Sequence, residues 1–186
     1  MKKTTIIAAA ALAAAGALRG DIEFTGFMHG SGRGLYSLRD TEDKTSSGWM
    51  RIGETFRGYT IESFDPDRET VVLRNSGKSV ERRLRDSKVA NGNRVIFGTI
   101  RVGAETDGGI RAALYPGEES SFPVKDGVTL FLQIDPLPDG MLNVRSRFVV
   151  AQDSGEEKVI TIAPFVARPG VAFGAWEGDL RFSFRP

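Results

Sequence analysis

After residue 20 the apolar residues of this chain alternate with polar ones at a period of two, in short runs that stop at Gly, Asn, Asp or Pro clusters. Successive side chains of an extended strand point to opposite faces, so this period predicts half-buried antiparallel strands. A first group of strands is expected over 23–27, 35–38, 49–52, 59–64, 70–74 and 79–84. A second group is expected over 95–102, 110–115, 121–124, 129–135, 142–151, 159–166, 171–175 and 180–184. No segment carries a helical stripe. Asp65-Pro66-Asp67 and Asn75-Ser76-Gly77 supply turn chemistry inside the first group, because Asp, Asn and Gly accept the backbone angles a tight reversal needs. Asn91-Gly92-Asn93 then interrupts the pattern, which divides the chain into two β modules at about 22–88 and 95–186. The fold class is all-β; a parallel α/β fold would need crossover helices that the pattern lacks.

The second module contains an apparent duplication of about fifty residues. Phe122, Asp126-Gly127, Leu130, Leu132, Ile134 and Pro136 are echoed by Phe173, Glu177-Gly178, Leu180, Phe182, Phe184 and Pro186. Such a repeat is first a structural signal. It predicts two similar hairpins in facing sheets of a β-sandwich, with Leu130, Leu132, Ile134, Leu180, Phe182 and Phe184 pointing inward in alternation.

The first twenty residues read differently. Met1-Lys2-Lys3 is a short positive start, and an Ala-dominated uncharged run over 4–18 ends in Ala15-Gly16-Ala17. This matches a secretory signal peptide over 1–17. The run is short of the roughly 20 apolar residues of a membrane span. The chain has no Cys, so the run ends in no lipid-attachment motif. Removal of Lys2 and Lys3 takes the net charge from +1 to −1. The expected location is periplasmic or secreted, with membrane contact only if the N-terminal segment is retained. A near-neutral balance argues against nucleic acid.

The 186 residues include one histidine, His29, and no cysteine. That excludes zinc sites of the finger and protease types, Cys-His nucleophiles and iron–sulfur ligation; no metal and no cofactor are expected. Asp153-Ser154-Gly155 has the composition of an aspartic-protease loop, but it is followed by Glu156-Glu157-Lys158. A solvated hairpin turn accounts for it better. Gly77-Lys78-Ser79 ends like a phosphate loop, yet position 72, where the first glycine belongs, is Val72. Gly30 to Gly34 has the wrong spacing for a dinucleotide fingerprint, and His29 beside it reads as a surface residue. The densest basic stretch holds Arg74, Lys78, Arg82, Arg83, Arg85 and Lys88 against Glu81 and Asp86. Charged edge strands commonly serve to block sheet-to-sheet association. The functional reading is a docking strip for an acidic partner or a lipid surface, with Arg82, Arg83, Arg85 and Lys88 as partner-binding candidates.

Taken together, Phe24-Thr25-Gly26, Leu35 to Leu38, Trp49 to Glu54, Tyr59 to Phe64, Thr70 to Arg74 and Val80 to Leu84 resemble the periplasmic homology-region domain of the type II secretion C component and the type IV pilus P lipoprotein. The resemblance covers about residues 22–88 and implies a small β-barrel. Trp49, Gly53 and Glu54 match the family's most telling element, an aromatic residue followed by Gly and an acid. In that barrel Trp49 would cap the core, Gly53 would permit a tight bend and Glu54 would satisfy turn amides. The repeated units of the second module bear a fainter likeness to strand-turn-strand units near a secretin β-domain.

The resemblance implies a non-enzymatic periplasmic adaptor of a secretion or pilus apparatus. Its partner would be an envelope protein such as a secretin or pilus component, bound by strand addition without catalytic residues. The alternative is an exported polysaccharide-binding module using exposed Trp49, Trp176, Tyr59 and Tyr115 as flat apolar faces. A hydrolase centred on Asp153 comes third.

Overall fold

The structure is a computed structural model and describes residues 21–28, 34–84, 86, 89–90, 93–103, 109–124 and 127–186. The expected signal peptide over 1–17, His29, Arg85 and Lys88 lie outside the described residues. Seventeen strands and no α-helix occur among the described residues: β1 (Ile22–Met28), β2 (Leu35–Asp40), β3 (Ser46–Met50), β4 (Thr55–Phe56), β5 (Tyr59–Asp65), β6 (Thr70–Asn75), β7 (Lys78–Arg83), β8 (Val89–Ala90), β9 (Asn93–Arg94), β10 (Ile96–Val102), β11 (Ile110–Leu114), β12 (Glu119–Pro123), β13 (Val128–Pro136), β14 (Leu142–Ala151), β15 (Glu157–Ala167), β16 (Phe173–Glu177) and β17 (Leu180–Arg185). The all-β class is therefore observed.

All strand pairs are antiparallel. A central seven-stranded sheet runs β16-β17-β10-β11-β1-β2-β3, a four-stranded sheet runs β12-β13-β14-β15, another runs β4-β5-β6-β7, and β8-β9 is a short hairpin. The central sheet has a core on each face. On β11, Ile110, Ala112 and Leu114 enter one core while Ala113 and Tyr115 beyond its end enter the other. The first core gathers Leu130, Leu132, Ile134, Val144, Phe148 and Ile162 from β13–β15. The second gathers Ile61, Val71 and Leu73 from β5 and β6. The result is a three-layered β-sandwich, the middle sheet shared by both outer ones.

The closed barrel expected over 22–88 is not formed. Its first three strands belong to the central sheet, and the rest make the smaller outer sheet. The reason lies in what β1 pairs with. Barrel closure needs a backbone ladder between β1 and β7, whereas β1 pairs with β11, setting Gly26 opposite Ala112 and Met28 opposite Ile110. Gly26 suits that neighbour, since a Cβ there would lie 3.0 Å from the Arg111 carbonyl oxygen. β7 reaches β1 through a side chain instead: Arg82 Nε donates to the Ile22 carbonyl at 2.7 Å. Strands from both sides of residues 89–94 thus share one sheet.

The two echoed segments form the hairpins β12–β13 and β16–β17. Leu130, Leu132 and Ile134 face Phe182 and Phe184 across the first core, with Leu180 half-buried at its margin. The hairpins differ in register: Phe122 opposes Leu130, but Phe173 opposes Phe184, because the second turn is only two residues long. Turn chemistry agrees with the strand ends. Ser76 (φ 49°) and Gly77 (φ 77°) form the two-residue link between β6 and β7, the mirror-image turn that hairpin twist favours. Gly77-Lys78-Ser79 is accordingly hairpin, not phosphate loop.

Candidate functional site

Trp49, Gly53 and Glu54 mark the point where the chain leaves the central sheet for the smaller one. Gly53 has φ of +92° and open space around its α-carbon, so a side chain there is opposed by backbone strain and not by a clash. Its N–H donates to the Ile61 carbonyl at 2.8 Å, and Ile61 N–H returns a bond to the Glu54 carbonyl at 3.1 Å. The Glu54 carboxylate accepts the Arg51 amide at 2.9 Å. Trp49 is placed differently from the expectation. It does not cap a core inside the first module; its half-buried indole packs on Phe122, with ring centroids 6.2 Å apart, and its Nε1 donates to the Ser121 carbonyl at 2.8 Å. It fastens the free edge of the central sheet, β3, to the free edge β12.

The basic stretch does not act as one charged surface. Arg82 is committed to the Ile22 carbonyl and, through Nη2, to Asp21 Oδ1 at 2.5 Å. Arg74 pairs with Glu62 at 3.2 Å. Arg83 is exposed at the end of the β7 edge. Arg85 and Lys88, the other two partner-binding candidates, fall outside the described residues.

The sequence reading missed a buried polar cluster. Arg39 on β2 is almost inaccessible, its side chain 8% exposed, and its Nη2 donates to the Glu118 carboxylate, 2.7 Å from Oε1 and 2.9 Å from Oε2. Its guanidinium lies 4.3 Å from the Tyr115 ring centroid, and the Tyr115 hydroxyl donates to Glu23 at 2.8 Å. Thr25 donates to Ser37 at 3.0 Å nearby. Thr25, Ser37, Arg39, Tyr115 and Glu118 line, with Trp49, a cleft of about 130 Å³. A hydrogen bond between a guanidinium and a carboxylate is stronger than one between neutral groups, and here it ties β2 to the β11–β12 turn. The two hydroxyls bond each other. The partners stand 79 residues apart in sequence, so no local spacing could have announced them.

Asp153 sits in the exposed turn between β14 and β15, where Gly155 N–H donates to the Gln152 carbonyl at 2.9 Å. Of the four aromatic residues expected to form an exposed platform, Tyr115 is buried and Trp49 and Tyr59 are half-buried. Trp176 alone of them is open to solvent, at 74%. Among the described residues no group of three or more His, Asp or Glu side chains is placed to hold a metal.

β15 presents the longest free edge. It is an eleven-residue strand at the border of its sheet, and residues 159–167 contain no charge. Ile160, Ile162 and Phe165 turn toward the core while Val159 and Val166 stand exposed. A bulge opposite residue 145, at Ala163-Pro164, interrupts its ladder with β14.

No family model matches this chain, no curated protein matches it, and no solved structure matches it.

Proposed function

We propose that the protein is a non-enzymatic envelope adaptor that works through protein–protein contacts, of the secretion or pilus type its sequence resembles. The observation that carries this reading is the β15 edge. An unpaired edge strand offers a row of backbone donors and acceptors to an incoming strand, and exposed apolar side chains beside it give the added strand something to pack on. Monomeric proteins usually blunt such edges with charges along their length; β15 has Glu157 and Lys158 at its start, a proline and a bulge, and no charge between Val159 and Ala167. Arg83 on the β7 edge is the second contact for an acidic partner.

The test is co-purification from an envelope extract with the wild-type chain and with Val159→Lys, which puts a charge on the exposed edge without touching a core. Recovery of a secretin or pilus component by wild type and its loss in Val159→Lys supports the adaptor. Recovery of neither kind of component, or equal recovery by both chains, overturns it.

A further inference from the structure

The smaller outer sheet covers only part of the central sheet, and the uncovered part has a composition of its own. The pleat settles which residues face outward there. Ile100, Phe182, Phe184, Phe173 and Ala175 all enter the core beneath, so their neighbours along β10, β17 and β16 point the other way. The register then places Arg185 beside Thr99, Ser183 between Gly174 and Arg101, and Trp176 beside Arg181. Arg101, Arg181, Arg185 and Trp176 are all exposed. None of the ion pairs among the described residues engages these three arginines; Arg181 Nε donates to the Gly103 carbonyl at 3.1 Å. Arg111, at the border with the smaller sheet, is occupied by Glu69 at 2.9 Å and by Thr99.

Arg181 and Arg185 are four residues apart on one strand, about 13 Å, and Arg101 lies on the next strand about 4.8 Å away. Between the arginines the residues are short: Gly174, Ser183 and Thr99. A strip of small residues flanked by guanidinium groups and ending at an indole is flat and open. Small ligands are held in concavities that bury most of their surface, so a flat strip suits an extended chain. A bilayer surface is gripped by apolar groups that enter it, and here short side chains fill the middle of the strip. The guanidinium fork matches a carboxylate or sulfate in two parallel hydrogen bonds, and the exposed indole face offers a sugar ring an apolar surface.

We infer that this face binds an acidic polysaccharide, a sugar chain bearing regularly spaced carboxylate or sulfate groups. The site is separate from the β15 edge and does not rest on the adaptor reading. In an envelope setting it would hold the protein against an anionic glycan layer while β15 remains available.

The probe is alginate, a linear polyuronate, titrated calorimetrically into the purified chain at low salt, with neutral dextran, phosphatidylglycerol vesicles and duplex DNA run beside it. Alginate binding that weakens with added salt is expected. Arg101→Gln and Arg185→Gln should each weaken it about tenfold, and Trp176→Ala should weaken it by a similar factor while leaving the urea midpoint in place. Arg145→Gln, on β14 in the outer sheet that covers the opposite face of the central sheet, should leave it unchanged. Four results would overturn the inference: no alginate binding, equal binding of dextran, tighter binding of vesicles or DNA than of alginate, or an Arg145→Gln loss as large as the Arg101→Gln loss.

Discussion

The two faces of the central sheet are covered by different means. On one face β13, β14 and β15 are long strands of nine, ten and eleven residues, and the core that this sheet closes is mostly aliphatic and extends from Ala175 on β16 to Met28 on β1. On the other, β4–β7 are short and reach only β1, β2, the end of β3, β11 and the beginning of β10. This smaller layer holds on through rings. Phe64 of β5 stands 4.7 Å from Phe27, 5.1 Å from Tyr36 and 5.8 Å from Phe24, centroid to centroid. An aromatic side chain buries more area than any other, so a small sheet can dock on few residues if they are Phe and Tyr. Where that cluster ends, the central sheet turns polar and basic. β10 records the change along its own length: Ile96 and Phe97 carry apolar groups to opposite faces, and from Thr99 onward polar residues alternate with apolar ones.

The largest effects should come from breaking either core. Phe24→Ala on the aromatic side and Phe148→Ala on the aliphatic side each remove a fully buried ring and should cost about 3–5 kcal/mol. Because the middle sheet belongs to both cores, each variant should shift a single cooperative urea transition, read by tryptophan emission and by circular dichroism. Two separated transitions in either variant would show that the layers fold independently.

A middle-sized effect sharpens how the larger outer sheet is fastened at its edge. Trp49→Ala removes partly buried ring area and the bond to the Ser121 carbonyl and should cost about 2 kcal/mol. Trp49→Phe keeps most of the packing and should cost about 1 kcal/mol. Thermal melts of both decide the matter; equal losses would mean that the ring packing on Phe122 contributes nothing.

The smallest effect concerns the aromatic side alone. Burial pushes the Tyr36 phenol above its ordinary value of 10.0. A raised folded pKa means that the neutral form is favoured in the native state. The contribution is fully present below pH 10 and is lost as pH rises through the folded value. Tyr36→Phe should therefore flatten the alkaline limb of a stability–pH curve measured by urea midpoint, with little change at neutral pH. An unchanged alkaline limb would assign that limb to other groups.

Much of this architecture was legible residue by residue. The alternation in 129–135 and 180–184 announced which side chains of β13 and β17 enter a core, and Asn75-Ser76-Gly77 announced a hairpin. Gly53 was singled out for a bend and has the positive φ a bend uses. Trp49 was misplaced because an aromatic at the end of a strand can cap whichever layer lies over it, and the layer that covers it begins seventy residues later, at β12. The expected platform failed for a related reason: Tyr115 ends a doubly covered strand, and the apolar run Ala112-Ala113-Leu114-Tyr115 was itself the signal that both faces are buried.

Strand positions, turns and inward faces were determined by the sequence alone, because a period of two and the angles of Gly, Asn and Asp are properties of a few neighbouring residues. The choice of sheet partners was decided only in three dimensions. Backbone N–H and C=O groups are the same in every strand, so the ladder that takes β1 to β11 instead of β7 carries no local address. It is set by which faces are covered when all three layers pack together. The same packing ties Arg39 to Glu118 and gathers Arg101, Arg181 and Arg185 on one uncovered face, from strands that lie about eighty residues apart in the chain.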